Sequence, residues 1–421
     1  MYSVGGKIIS VGNKFPEKRV NTLTFQVQGV QFPKTTSSNE PYLMFGSEIE
    51  NSFTVNYGDG ESDLLDFEFQ SLFNSFFIGH FKGFEFTSNK LPNNHLLPHS
   101  YQDSNTGPRF VSFNFQDLSK IIVIDIRFCE LIGNFPIEIG FSNNLKKISL
   151  QGTNLLGGFP ESLSNLTLLE EISLSSTFET PLVKIPDGFF NNKLEILNIS
   201  ASFNLNDVIS SNLFKINQLS DTLGTLNMKS CNIQVLPSEL SECLLLTDLR
   251  LLGNPIKNPE VLETLFNLDR LYIDSDSFEN GLFETNNLTK LRTIWTRNLT
   301  ESLINEIPLK WTGLKALSNF VIFRQVILTN PLFQTFIENF YTLCTENGFL
   351  DPSSTEAQNT GFPEQFRDIS WGDGNDWFTV SDTIQAPNGF SLGISNGTPA
   401  NNAEKIYVLV ENYGHSVELS S

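Results

Sequence analysis

The sequence contains little of what metal and catalytic sites are usually built from. It has 4 cysteines and 4 histidines, and no two cysteines form a CxxC pair. A zinc site and a disulfide-stapled scaffold are therefore both disfavoured. The sequence contains no HExxH motif, and no glycine-rich phosphate loop stands between an expected strand and an expected helix. We expect neither a cofactor nor a bound metal.

Positive charge is also scarce, since 27 Lys and Arg residues stand against 47 Asp and Glu residues and the net charge is −20. Phosphate recognition requires clustered Lys and Arg, so we do not expect nucleic acid as a partner. An acidic chain is repelled by an anionic membrane surface. No apolar run of about 18 residues is present, so we expect no membrane insertion. Residues 1–20 lack the apolar core of a secretory signal peptide.

What the sequence does contain is a repeat in its middle part. Segments that begin at Ile121, Leu145 and Leu169 follow one another at intervals of 24 residues and share the pattern L-x-x-L-x-L-x-x-(N/C/T)-x-L. Weaker copies, which bring the total to about nine, begin at Leu194, Leu223, Leu246, Leu268, Leu291 and Leu317. The alternation of apolar and polar residues predicts one short strand with a buried face in each repeat. Because stacked repeats bury one another's apolar faces, the array is the folding unit.

This pattern resembles the leucine-rich repeat family over roughly residues 118–330. The polar residue at the ninth position of each repeat is expected to hydrogen-bond the backbone of a tight turn inside the stack. That position holds Cys129, Thr153, Thr177, Cys231 and Asn254. We therefore interpret the two thiols as buried structural groups without a redox role.

The residues between the strand leucines should point outward onto the concave sheet of such a solenoid. Their central column runs through Asp125, Ser149, Ser173, Asn198, Asn227, Arg250, Tyr272, Trp295 and Val321. The earlier members are small and polar, whereas the last four repeats carry arginines and aromatic residues. Arg, Tyr and Trp dominate binding hot spots. The predicted partner-binding residues are Arg250, Arg270, Tyr272, Trp295, Arg297 and Phe323. The alternative is that a flanking domain of the same chain covers this half.

Residues 20–115 alternate in the manner of strands, which predicts a small antiparallel β domain. The segment FTVNYGDG at 53–60, His99 and Tyr101, and the later strand RFVSFNF at 109–115 resemble the PKD-like β-sandwich family. Such a domain followed by leucine-rich repeats is similar to the arrangement in surface proteins of Bacteroidetes-type bacteria and their phages.

The Gly-Asp-Gly sequence at 58–60 has a near twin at 372–374. Each copy follows an alternating strand, and Asp-Gly supplies the positive φ angles that a tight hairpin requires. We interpret both copies as structural turns. The alternative is a calcium loop built from Asp59, Glu61 and Asp63, or from Asp373 and Asp376. Neither fragment has the full EF-hand spacing.

After the repeats, apolar residues between Leu332 and Leu343 recur at helical spacing, with Pro331 at the start and Gly348 beyond the end. The pattern predicts a helix that caps the open end of the solenoid. Residues 349–421, including EKIYVLVENYG at 404–414, are interpreted as a second β module.

The sequence GFSLG at 389–393 matches the G-x-S-x-G pattern of serine hydrolases, with Glu404, Glu411 and His415 downstream. The nucleophile elbow of those enzymes requires a strand, a sharp turn and then a helix. The residues ISNGTP that follow cannot start a helix promptly, so we do not expect a hydrolase.

Taken together, the sequence predicts an α/β leucine-rich-repeat solenoid, mostly β with short helices, flanked by all-β domains. The expected divisions are a PKD-like domain at 1–115, the solenoid at 116–330, a capping helix at 331–348 and a C-terminal β module at 349–421. The expected function is non-catalytic binding of a protein or a surface glycan.

The first functional interpretation is a phage virion component, in the tail or fibre, that contacts the host surface or other virion subunits. The alternatives are a bacterial cell-surface adhesin and a glycan-processing enzyme with its site in the C-terminal module. The two binding interpretations place the chain in a virion or on an extracellular surface.

Overall fold

The computed structural model describes residues 2–4, 7–9, 21–27, 31–32, 42–66, 68–70, 75–80, 99–100, 102, 107–129, 131–156, 159–174, 186, 188–191, 193–200, 213–274, 276–279, 287–296, 314, 316–317, 319–322, 330–346, 368–369, 385–392, 394–412 and 416–417. They form a two-sheet β-sandwich, a solenoid of parallel strands and a C-terminal part that contains two longer helices. Within these residues, no helix is both long and apolar enough to cross a membrane.

The strands before residue 116 are antiparallel. They are β1 (Tyr2–Val4), β2 (Lys7–Ile9), β3 (Thr22–Val27), β4 (Gln31–Phe32), β5 (Tyr42–Ser47), β6 (Ser52–Asn56), β7 (Ser62–Asp66), β8 (Glu68–Gln70), β9 (Ser75–His80), β10 (His99–Ser100) and β11 (Arg109–Phe115). Strands β1 and β2 pair with each other, and β4 pairs with β10. The other strands enter two larger sheets, one with β3, β11, β6 and β7 and one with β5, β9 and β8.

Phenylalanine rings hold these two sheets face to face. Phe45 of β5 lies against Phe53, Phe113 and Phe115, with ring centroids 5.3, 5.2 and 5.2 Å away. These are the tilted and edge-on arrangements that aromatic pairs favour. Because Phe45 belongs to one sheet and its partners to the other, the rings form the core of a sandwich. The assignment to the PKD-like family stays a prediction.

The Gly58–Gly60 segment turns the chain between β6 and β7. Gly58 has φ 83° and Gly60 has φ 98°, and the Tyr57 hydroxyl donates to Asp63 Oδ2 at 2.7 Å. A Cβ at Gly58 would lie 2.5 Å from the Phe110 carbonyl oxygen, so glycine is required there. Among the described residues, no three His, Cys, Asp or Glu side chains are grouped to hold a metal ion. The twin at 372–374 lies outside the described residues.

The repeat strands form a parallel array. They are β12 (Ile121–Arg127), β14 (Lys147–Ser149), β16 (Glu171–Ser173), β17 (Ile196–Asn198), β18 (Thr225–Asn227), β19 (Asp248–Arg250), β20 (Arg270–Tyr272), β21 (Thr293–Thr296) and β22 (Asn319–Ile322). Ile124, Ile148 and Ile172 are successive register partners, and Leu226 occupies the same row two strands further on. All four are buried. The predicted shared apolar spine is confirmed.

Short 3-10 helices return the chain between most repeat strands. They are η1 (Leu118–Lys120), η2 (Ile137–Phe141), η3 (Glu161–Asn165), η4 (Phe189–Asn191), η5 (Leu213–Leu219), η6 (Ser238–Glu242) and η7 (Pro259–Thr264). Ile139, Leu163, Leu240 and Leu262 point from them into the core. A proline precedes η2, η3 and η6 and begins η7, where its fixed φ suits a helix start. A short α-helix, α1 (Asp276–Glu279), follows β20.

The polar side chains at the ninth position of the repeats hydrogen-bond the backbone inside the solenoid, as the sequence predicts. Asn254 Oδ1 accepts from the backbone N–H groups of Cys231 and Ile233 at 3.0 and 2.9 Å. Asn254 Nδ2 donates to the carbonyls of Met228 and Leu251 at 2.8 and 2.7 Å. The Cys231 thiol donates to the Ile199 carbonyl at 3.3 Å. These side chains therefore satisfy backbone groups inside the stack. Thr177 lies outside the described residues.

The sandwich and the solenoid share both of their large sheets. Strand β12 pairs with β5, so the repeat sheet continues directly into β5, β9 and β8. Two further repeat strands, β13 (Leu131–Asn134) and β15 (Asn154–Leu156), extend the other sheet through the pairing of β13 with β3. Both large sheets therefore contain strands from either side of the predicted domain border between residues 115 and 116. Strand β5 pairs the edge of the first repeat, which would otherwise be left open.

The C-terminal part differs from the expected β module. Its elements are α2 (Asn330–Glu346), β23 (Asp368–Ile369), β24 (Asn388–Ser391), β25 (Ser395–Thr398), α3 (Asn402–Glu411) and β26 (Ser416–Val417). Helix α2 forms where the apolar spacing predicts a helix, and it packs against α3. Strand β23 lies beside β22, the last described repeat strand. That α2 caps the solenoid stays a prediction.

Helix α3 corrects the strand expected at 404–414. Asn401 Oδ1 accepts from the Glu404 N–H at 2.9 Å, and Glu404 Oε2 accepts from the Ala400 N–H at 2.7 Å. This pair is close to a capping box, in which each side chain satisfies a backbone donor at the helix start. Ala403, Ile406 and Leu409 are buried at helical spacing. The β-branched and aromatic content of IYVLV suggested a strand, but the N-terminal cap and the packing on α2 favour a helix.

Candidate functional site

The parallel register places three predicted partner-binding residues in one row of the concave sheet. Arg250, Tyr272 and Trp295 are Cα partners on successive strands. Adjacent strands lie about 4.8 Å apart, so the three side chains are immediate neighbours. Val321 on β22 continues the row. Arg297 and Phe323 lie outside the described residues.

The three side chains form a stack. The guanidinium carbon of Arg250 lies 4.9 Å from the centre of the Tyr272 ring. The Tyr272 and Trp295 rings have centroids 5.3 Å apart and an interplanar angle of 33°. A cation over an aromatic face and two neighbouring rings are both attractive arrangements. The stack is half-buried, so its members are held in place while part of each remains open to solvent.

A chain of ion pairs runs beside this stack. Arg250 donates from Nε and Nη2 to the two carboxylate oxygens of Asp248 at 2.8 and 2.9 Å. Arg270 lies between Asp248, 3.5 Å from Nη1, and Asp269, 3.7 Å from Nε. Arg292 donates to both carboxylate oxygens of Asp269. These contacts thus join three guanidinium groups to two carboxylates.

Among the three arginines of these ion pairs, Arg270 is the one whose guanidinium group a ligand can reach most readily. Half of its side chain is exposed, whereas the Asp248 side chain is 6% exposed. Its two ion-pair distances are at or beyond the upper limit for an N–H···O hydrogen bond. A guanidinium has five N–H donors in a fixed plane. Arg270 therefore keeps donors for an incoming acceptor.

The ionisation states follow from the same contacts. The hydrogen bonds that Arg250 donates to Asp248 raise the pKa of Arg250 above its ordinary value, and burial opposes this increase. Burial raises the pKa of Tyr272, and the Arg250 charge opposes that increase. At neutral pH the stack therefore contains a charged guanidinium against an uncharged phenol.

Sequence reasoning missed three members of the site, namely Asp248, Asp269 and Arg292. Asp248 is the first residue of its strand and was not part of the central column. Asp269 and Arg292 each directly precede a repeat strand. An acidic residue and an arginine at equivalent positions of consecutive repeats would have predicted these ion pairs, because such positions lie side by side in a parallel sheet.

The earlier half of the concave sheet is built differently. Ser173 Oγ accepts from Gln151 Nε2 at 2.8 Å and from Asn198 Nδ2 at 3.1 Å. Ser149 and Ser173 are buried. Ser173 is thus tied to side chains on both neighbouring turns, whereas the buried Ser149 hydroxyl has no hydrogen-bond partner among the described residues.

The described residues of the GFSLG motif, 389–392, lie in a β-hairpin. Ser391 is an exposed residue at the end of β24, and it pairs with Ser395 of β25. The chain therefore reverses into a second strand, in contrast to the strand-turn-helix of a nucleophile elbow. His415 lies outside the described residues.

The described geometry now decides the fold class. Parallel one-strand repeats share an apolar spine, polar side chains bond the backbone between turns, and 3-10 helices return the chain. The fold is a leucine-rich-repeat solenoid.

Comparison with known proteins finds the same kind of repeat. No family model matches the chain. Receptor-like protein 6 of Arabidopsis thaliana is 32% identical over 104 residues, which are 24% of this chain and 10% of that protein. The chain thus spans about a tenth of the length of this curated relative.

Solved structures with similar repeats come from plants and bacteria. The leucine-rich-repeat ectodomain of the Arabidopsis thaliana receptor kinase GASSHO1/SCHENGEN3 is 20% identical, with 51% of this chain and 25% of that chain covered and a TM-score of 0.35. An internalin of Listeria monocytogenes is 16% identical, with 53% of this chain and 66% of that chain covered and a TM-score of 0.38. A leucine-rich-repeat protein of Leptospira interrogans is 20% identical, with 48% of this chain and 55% of that chain covered and a TM-score of 0.33.

Proposed function

We propose that this chain is a non-catalytic protein-binding module whose contact surface is the later half of the concave sheet. The observation that carries the proposal is the Arg250–Tyr272–Trp295 stack with Arg270 exposed beside it. Arg, Tyr and Trp are the residues most often found at binding hot spots. Their fixed arrangement reduces the conformational entropy that binding would cost.

The chemistry of the surface favours an acidic partner with apolar side chains. The planar guanidinium of Arg270 suits a carboxylate, which it can bind through two parallel hydrogen bonds. The exposed parts of Tyr272 and Trp295 offer apolar area next to that charge. A protein segment that carries both features matches this surface better than an uncharged glycan does.

An extracellular setting, as in the cell-surface adhesin interpretation, agrees best with this proposal. A virion component is favoured by β modules at both ends of the chain, and the described C-terminal residues include helix α3 as well as short strands. The glycan-processing interpretation relied on a site in residues 349–421, where the described residues of GFSLG lie in a hairpin. The similarity of the repeats to those of a plant receptor-like protein supports a role in recognition.

A peptide-display selection tests the proposal without a known partner. The full chain is used to select binders from a random peptide library, and the triple variant Arg270→Ala, Tyr272→Ala, Trp295→Ala serves as the comparison. We expect selected peptides to be rich in Asp, Glu and aromatic residues. We also expect their affinity for the triple variant to fall at least about tenfold.

The matched control removes large exposed side chains elsewhere on the solenoid, through Leu245→Ala and Phe266→Ala. Binders that retain their affinity for the triple variant but lose it for this control would overturn the proposal. The unfolding temperature of the triple variant provides a second readout. A large decrease would show that another part of the chain packs on the surface.

A further inference from the structure

A second surface lies on the sandwich, on the side of the six-stranded sheet that faces away from the phenylalanine core. We call it the outer face. It is made of the outward residues of β3, β6, β7, β11 and β13, namely Thr22, Thr24, Gln26, Ser52, Thr54, Asn56, Ser62, Leu64, Phe110, Ser112, Asn114 and Ile132. Their neighbours along β3, β6 and β11 alternate with them and are buried.

The outer face is nearly uncharged. Of its twelve residues named above, nine carry hydroxyl or amide groups and three are apolar. One acidic position, Asp66, follows Ser62 and Leu64 at the same two-residue spacing on β7 and pairs with Ser52 at the edge of the face. A solvated sheet face in a chain with net charge −20 would ordinarily carry acidic residues. The composition of this face therefore departs from the net acidity of the chain.

The polar groups are fixed by contacts across the strands. Thr22 Oγ1 donates to Asn114 Oδ1 at 2.8 Å, and the hydroxyls of Thr24 and Ser112 lie 3.0 Å apart. Asn114 Nδ2 also reaches the Thr54 carbonyl at 3.4 Å. Hydroxyls and amides can both donate and accept. The face therefore presents a preorganised array of neutral donors and acceptors.

One aromatic ring stands out from this array. Phe110 is 61% exposed, although its neighbours Arg109 and Val111 are buried. In its row across the strands it is separated from Ile132 by Gln26. The apolar residues are thus spaced among polar ones and do not form the continuous apolar centre of a typical protein–protein interface.

We infer that the outer face binds a neutral polysaccharide. The Phe110 ring packs against the C–H face of a sugar, and the surrounding hydroxyl and amide groups bond to sugar hydroxyls. Electrostatic complementarity favours this occupant, since a face whose single acidic residue lies at its edge offers little to an ionic ligand. A ring and an array of neutral donors and acceptors match a ligand that is apolar on one side and hydroxylated at its edge.

The test is a depletion assay with the full chain on insoluble cellulose and chitin, at low and high NaCl. We expect retention on at least one polymer, and we expect it to be independent of salt because no charge takes part. The variants Phe110→Ala and Asn114→Ala should reduce retention, with at least about a tenfold loss of affinity for Phe110→Ala. Phe266→Ala, which removes an exposed ring from the solenoid, should have no effect.

Absence of retention on both polymers would overturn the inference, as would retention that salt abolishes or that Phe110→Ala leaves intact. If Phe110→Ala lowers the unfolding temperature, Ser112→Lys provides the alternative variant, since it places a charge on the face. Dimerisation that Phe110→Ala abolishes, without polysaccharide binding, would identify a protein interface and overturn the inference. The concave triple variant should bind polysaccharide normally, which separates this test from that of the proposed function.

Discussion

The two halves of the concave sheet have the same backbone arrangement and differ in the size of the side chains in their central row. In the earlier half, Ser149 and Ser173 are buried, and Ser173 accepts hydrogen bonds from side chains on two neighbouring turns. In the later half, Arg250, Tyr272 and Trp295 occupy the same row and form a half-buried stack. The repeat therefore determines where a side chain stands, and its identity alone determines whether the position is closed or available.

The largest difference in stability is expected at the ninth position of the repeats, inside the solenoid. Asn254→Ala removes four hydrogen bonds and leaves buried backbone groups without partners, so it should lower the free energy of unfolding by about 3 kcal/mol. Cys129 occupies the same position in the earlier half, where its thiol donates to the Arg127 carbonyl at 3.3 Å. Since a thiol is a weak donor, Cys129→Ala should cost about 1 kcal/mol. Equal losses in urea unfolding would show that the ninth position contributes alike in both halves.

A smaller difference is expected between two aspartates. Asp248→Asn weakens contacts to Arg250 and Arg270, whereas Asp125→Asn weakens the pair with Arg127 alone. Because the arginines are partly exposed and screened, we expect a loss of about 1–2 kcal/mol for Asp248→Asn and roughly half of that for Asp125→Asn. Thermal unfolding of the two variants would measure it. A larger loss for Asp125→Asn would contradict the chain of ion pairs described for the later half.

Replacement of the aromatic pair by the residue type of the earlier half tests whether the stack is a free surface. Tyr272→Asn with Trp295→Asn should cost about 1 kcal/mol, the contribution of a partly exposed aromatic pair. Ser173→Ala, in the same row, is the reference from the earlier half. A loss several times larger for the aromatic pair, in urea unfolding, would mean that another part of the chain packs on the later half.

The smallest effect concerns pH. Burial raises the folded-state pKa of Tyr272 above its ordinary value of about 10, so its contribution to stability is complete at neutral pH and is lost as the pH rises through the folded pKa. Because the Arg250 charge opposes this increase, Arg250→Ala should move the Tyr272 titration to still higher pH. Ultraviolet difference titration against Tyr272→Phe would resolve it. A shift to lower pH would contradict the described contact.

Much of the repeat fold was predictable because its signal is local. A leucine at each strand position, a polar ninth residue and an interval of about two dozen residues predict which atoms are buried, whatever lies elsewhere in the chain. The helix at Asn330–Glu346 was predictable for the same reason. Helix α3 was not, because β-branched residues and a short apolar run fit a strand equally well until the Asn401 cap and the α2 contact are known.

The sequence by itself determined the solenoid, the row that contains Arg250, Tyr272 and Trp295, and the role of Asn254, since each depends on a residue's place in a repeat. Only the tertiary structure decided that β5 and β3 join the sandwich to the repeats, that Asp248 and Asp269 link three arginines, and that a nearly uncharged face surrounds Phe110. Those features depend on strand pairings between distant segments and on side-chain conformations, and no local pattern of apolar and polar residues specifies either.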